Sequence, residues 1–224
     1  MNRKELNKQQ TELRRVMLEG DQHEKAIALF LHQHAILHSA KMANDRIWSY
    51  EDAILDELDD AQMRRIPKNG EHSIVWCIWH IARIEDVTMN LLVANTEQIF
   101  EEGNWLTKTN SSISHTANAM NLDEIAELST GLNVEGLREY RIAVGRRTRD
   151  IVNTLEPGTL KKKIDPAQIT RVAEKSLVHK DAPGILEYWR KRNIAGLLLM
   201  PATRHNLVHL NEAALLKKSV HNMI

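Results

Sequence analysis

The sequence predicts an all-α protein, a helical bundle with long connections, on three observations. Only 9 glycines and 5 prolines punctuate 224 residues, too few for the frequent turns of an all-β chain. Apolar residues recur with a period near 3.6, and the strict alternation of half-buried strands is nearly absent. A hydrophobic content of 42% with 27% charged residues suits a globular domain with its own core. The length fits one domain spanning residues 1–224.

The elements follow in order. A first helix is expected over residues 22–40, with Asp21 as N-cap and Ile27, Leu31, His34 and His38 on one stripe. Residues 45–58 are amphipathic through Ile47, Ile54, Leu55 and Leu58. IPKNGEH then reads as a loop broken by Pro67 and Gly70. The helix expected over 73–94 opens with SIVWCIWHIA, apolar almost all round, and so belongs in the middle of a bundle. Residues 95–121 form a polar excursion with short helical pieces, followed by a short helix over 123–130 ending at Gly131. A long helix over 134–155 carries Leu137, Ile142, Val144 and Ile151 inward. Its arginines (Arg138, Arg141, Arg146, Arg147 and Arg149) read as a solvated face. Residues 161–184 are irregular apart from a helix near 166–175. An apolar stretch then starts near Ile185, and Pro201 opens a final helix over 202–219.

Composition narrows the function classes. Thirty basic and thirty acidic side chains cancel, which argues against a binder of nucleic acid or of a membrane surface, since both need a cationic excess. The single Cys77 makes no internal disulfide. MNRKELNKQQTELRR lacks the apolar core of a signal peptide, and IAGLLLM is far short of a membrane span, so a cytoplasmic location is expected. Walker, dinucleotide, nucleophile-elbow and zinc-finger cysteine patterns are absent.

Chemistry concentrates in the 11 histidines. His205 and His209 lie four residues apart, so both imidazoles occupy one side of a helix and can share a metal ion. Surface or hydrogen-bonded histidines fit the same spacing. His80 sits in the most apolar helix, where a lone imidazole is either a satisfied core residue or a ligand. If the two helices face each other, the three imidazoles form a site with open coordination positions. His34 and His38 repeat the four-residue spacing, and the residues alone do not choose between the two pairs. His23, His72, His115, His179 and His221 read as surface residues. Cys77 reads as a buried, inert thiol, and Trp76 and Trp79 as core. Arg83, near the His80 stripe, is a candidate for binding a substrate carboxylate, or a partner in an internal salt bridge with its acidic neighbours.

The segments IPKNGEHSIVWCIWHIARIED and MPATRHNLVHLNEA resemble the two signature regions of the DinB/YfiT-like metalloenzyme superfamily. The resemblance covers about residues 45–218, leaving 1–44 as an N-terminal helical extension. It implies a four-helix bundle with additional short helices. It also implies a divalent metal ion (zinc, nickel, iron or manganese) on His80, His205 and His209, and frequently a homodimer. Members with known activity include thiol-dependent S-transferases and isomerases that use a low-molecular-weight thiol. The expected function is therefore activation of a thiol or water for attack on a small electrophilic substrate. A metal-dependent hydrolase and a non-catalytic metal-binding bundle are the alternatives. Many members carry Gln three residues after the last histidine. This chain has Glu212, a candidate catalytic group for proton handling, a fourth ligand, or an acceptor that orients an imidazole.

Overall fold

The computed structural model describes residues 3–19, 21–43, 47–68 and 70–221, with the side chains of 220 and 221 outside the description. The elements are α1 (Arg3–Glu19), α2 (His23–Ile36), α3 (Tyr50–Leu55), α4 (Asp60–Arg64), α5 (Ile74–Asp86), α6 (Ile99–Glu102), α7 (Trp105–Lys108), α8 (Leu122–Gly131), α9 (Val134–Asn153), α10 (Pro166–Glu174), α11 (Gly184–Arg190), α12 (Ile194–Leu199) and α13 (His205–His221). Two π-helical stretches, Val87–Ala94 and Met200–Arg204, extend α5 and join α12 to α13. The described residues contain no strand, only an isolated antiparallel bridge between Lys163 and Asn193.

The bundle is formed by α2, α5, α9 and α13. α5 packs on both α9 and α13, and α2 packs on α9 and on the π-helical stretch before α13. α5 is central because its sequence leaves it no polar face: every residue from Ile74 to Asp86 is buried. Ser73 starts it, its hydroxyl accepting the Trp76 amide at 2.9 Å and so satisfying a donor that the helix leaves open. Capping boxes start the shorter helices α4 (Asp59 with Gln62), α8 (Asn121 with Glu124) and α10 (Asp165 with Gln168), the last with Pro166 in its first turn.

Four sequence expectations change. α2 begins at His23 with Gln22 at the cap and no side-chain cap bond, so Asp21 is not its N-cap. The amphipathic stretch at 45–58 becomes the short α3, and Asp45 lies outside the described residues. Pro201 does not open the last helix but sits in its π-helical joint. There the wider turn accommodates the ring, and the Thr203 hydroxyl lies 3.1 and 3.0 Å from the Leu198 and Leu199 carbonyls, helping to satisfy acceptors that the break exposes. Finally, the arginines of α9 are only in part a solvated face: Arg146 is exposed and Arg138, Arg147 and Arg149 are partly exposed, but one turns inward. Arg141 is fully buried, and Arg146 and Arg149 bind the carbonyls of Met42, Lys41 and Leu31.

The burial of α5 forces its charged residues into pairs. Arg83 is fully buried, and its guanidinium makes five hydrogen bonds: to Asp86 (2.9 Å), the Tyr140 hydroxyl (2.7 Å), Gln98 (2.7 Å) and twice to the Ser114 carbonyl (3.0 and 2.6 Å). Glu85 pairs with Arg141 at 2.8 Å, and Arg141 also reaches Glu51 at 3.2 Å. Removing one member of such a pair strands a buried charge.

Candidate metal centre

α5 and α13 bring the three predicted histidines together. His80 is in the second turn of α5, and His205 and His209 occupy successive turns at the start of α13, directly after the π-helical joint. One ring nitrogen from each lies within 4.8 Å of the other two. His80 Nε2 is 3.1 Å from His205 Nε2. The ring centroids of His209 are 4.7 Å from His80 and 4.6 Å from His205.

The hydrogen bonds fix which nitrogens carry protons. His80 Nδ1 is 2.5 Å from the Thr116 carbonyl oxygen, and a carbonyl only accepts, so Nδ1 carries the proton and Nε2 a bare lone pair. His209 Nδ1 is 2.8 Å from Glu212 Oε2. Burial alone would raise the Glu212 carboxyl, but hydrogen bonds from His209 and His72 hold it down at about 2. It therefore accepts as a carboxylate, so His209 Nδ1 is the donor, and the tautomer of a neutral His209 that fits this bond presents the Nε2 lone pair. Burial lowers His80 to about 3, with His209 adding to the effect, and pushes His205 well below its ordinary value. His205 Nδ1 is buried without a partner. With the His80 proton on Nδ1, His205 Nε2 is the donor of the 3.1 Å contact to His80 Nε2, and a bound ion would displace that proton. Three imidazoles brought together in this way, two of them oriented through the opposite nitrogen, are the donor set a divalent cation requires. The residues fit such an ion.

The site opens on one side. His80 is 3% exposed, while the side chains of His209, His72 and Glu212 are 15, 21 and 32% exposed. Glu212 Oε1 accepts from His72 Nδ1 at 2.6 Å, so both its oxygens are engaged in orienting imidazoles. Trp76 stacks between His72 (3.5 Å, 2°) and His80 (4.6 Å, 16°). It forms one wall of the site and is core at the same time.

The sequence pattern of the DinB superfamily matches residues 43–213. The chain belongs to the DinB superfamily. Among solved structures, a conserved protein from Enterococcus faecalis shares the fold, with a TM-score of 0.62 at 14% identity, over 87% of this chain and 96% of that one. No curated protein matches the chain.

Within this DinB-superfamily bundle, His80, His205, His209 and Glu212 stand together, and Arg83 stands apart. All of Arg83's donors are spent on the network that ties α5 to α9 and to the 95–121 excursion, leaving none for a ligand carboxylate. Cys77 is buried, and burial beside the Glu212 carboxylate pushes its thiol up, as expected of an inert thiol. Two partners had no signal in the sequence. His72, read as surface, lies against Trp76 and Glu212, and Thr116 takes part through its carbonyl, which any residue could supply. His179, also read as surface, is buried, with its ring 5.2 Å from that of His115. No helix among the described residues is long and apolar enough to cross a membrane.

Proposed function

We propose that the chain is a metal-dependent enzyme in which a divalent ion held by His80, His205 and His209 activates a low-molecular-weight thiol or a water for attack on a small electrophilic substrate. The observation that carries this reading is the convergence of three imidazoles that is buried on the His80 side and open on the Glu212 side. A closed, purely structural site would need a fourth protein ligand. Both Glu212 oxygens are committed to His209 and His72, and the Cys77 thiol, which groups with His209 and Glu212, is pushed up by burial and by the Glu212 carboxylate, away from the thiolate a metal takes. Three neutral ligands leave a bound ion its full charge, and the chemistry it supplies is Lewis acidity toward an adjacent thiol or water.

The chain's own residues supply the rest. The Thr116 carbonyl and the Glu212 carboxylate hold His80 and His209 in the tautomer that presents Nε2. Glu212 is thus a positioning residue, acting through His209 and His72. His72 donates from Nδ1, is partly exposed, and is placed to pass a proton to solvent at the mouth. Trp76 walls off one side and restricts water there.

The test is conversion of a chromogenic electrophile, with and without an added thiol, by the metal-loaded, chelated and His205→Ala/His209→Ala proteins. Thiol-dependent turnover confined to the metal-loaded wild type supports the transferase reading. Turnover without thiol identifies a hydrolase. Equal rates in all three proteins refute a metal-dependent reaction.

A further inference from the structure

A second cluster of imidazoles and a carboxylate lies in the bundle core. His34, in the last turn of α2, and His38, just beyond it, face Glu85 of α5, and all three side chains are fully buried. His34 Nε2 is 2.8 Å from one Glu85 oxygen, and His38 Nε2 is 3.1 Å from the other. His38 Nδ1 lies 2.9 Å from the His34 carbonyl oxygen, which cannot donate, so the proton of a neutral His38 is on Nδ1. Its Nε2 lone pair then confronts a carboxylate oxygen, and this nitrogen makes no hydrogen bond. That oxygen already accepts from Arg141 and from Asn206, each at 2.8 Å. Two acceptors facing each other away from water repel unless a cation lies between them.

Further observations mark the cluster as a built site. His34 Nδ1 and Asn206 Oδ1, like His38 Nε2, are buried polar atoms without a partner. The buried acids Glu51 and Glu85 share the Arg141 guanidinium. Where α9 passes the His38 ring it carries Gly145, and a Cβ there would meet His38 Cδ2 at 2.6 Å and Met42 Cγ at 2.8 Å. The backbone therefore comes as close as a glycine permits. One nitrogen of each histidine and a Glu85 oxygen lie within 4.8 Å of one another.

We infer that His34, His38 and Glu85 form a second, enclosed site for a divalent transition-metal ion, which ties α2 to α5. Two imidazoles and one carboxylate suit zinc, iron or manganese. The site shares no ligand with the His80 centre, to which it is linked through Asn206, the neighbour of His205 that donates to Glu85, and both histidines precede the stretch matching the DinB superfamily, residues 43–213. Because it is closed to solvent, its metal enters with folding and exchanges slowly.

The test is elemental analysis for first-row transition metals on the full chain, expressed with added zinc and purified without an affinity tag. Wild type is expected to hold two equivalents, His205→Ala/His209→Ala one, and the same variant with Glu85→Gln none. The double-histidine variant leaves the second cluster intact, so the deciding number does not depend on a core variant folding. A folded double-histidine variant with no metal overturns the inference, as does one equivalent that survives Glu85→Gln. One equivalent in wild type that persists in the double-histidine variant and disappears with Glu85→Gln keeps this site and refutes the His80 centre. One equivalent lost with His205 and His209 does the reverse.

Discussion

Glu212 shows how much of the centre depends on groups that bind no metal. Its oxygens set the tautomers of His209 and His72, so Glu212→Gln replaces an acceptor pair by one acceptor and one donor. The expected result is metal affinity weakened by about 10–100-fold with the fold retained, read by competition with a chromogenic chelator. An unchanged affinity would remove Glu212 from the centre. Arg83 gives the opposite pattern. Arg83→Met strands Asp86, whose carboxylate also holds the Ile99 and Phe100 amides at 2.9 Å, and should cost about 3–5 kcal/mol of stability in urea unfolding. Loss of ligand binding without loss of stability would restore Arg83 to the site. The three histidines were legible in the sequence because a four-residue repeat and an imidazole amid apolar residues are local patterns. Arg141 was misread because an arginine run has the same spacing whether its partners are water or Glu51 and Glu85, which come from distant segments.

The π-helical joint at Met200–Arg204 sets the phase of α13, and with it the direction of His205 and His209. Thr203 repairs the break through the Leu198 and Leu199 carbonyls. Thr203→Val keeps the shape and removes the hydroxyl, and should cost about 1–3 kcal/mol in urea unfolding while weakening metal binding. A neutral substitution would show that the joint holds its geometry without this side chain. The helices themselves were readable from apolar periodicity, and α5 from its lack of a polar face. The joint was not, because a proline after an apolar run has the same signature whether it starts a helix or sits in a distorted turn of a continuing one. The 95–121 excursion was likewise readable only as a polar interruption. Its role, bringing the Ser114, His115 and Thr116 carbonyls onto α5, is a backbone contribution with no side-chain signature.

For the whole molecule, the bundle encloses imidazoles that the unfolded chain exposes. Burial lowers His38 and His80 to about 3, against about 6.5 unfolded. Between those values the unfolded chain binds protons that the folded chain does not, so the stability of the chelated protein falls as the pH drops below about 6.5. The slope approaches about 1.4 kcal/mol per pH unit for each such histidine. Urea midpoints of chelated protein at three pH values between neutral and mildly acidic check this, and a midpoint that rises on acidification contradicts it. Metal favours the folded state by mass action, so chelation at constant pH should lower the melting temperature.

The central claim, that α5 and α13 assemble a metal centre, is tested most directly by the difference in metal content between the tag-free wild type and the His205→Ala/His209→Ala variant. This difference is independent of any ion bound elsewhere in the bundle. A deficit of one equivalent in a folded variant is the expected result. Equal metal content in the two proteins, or none in either after reconstitution, would contradict the claim.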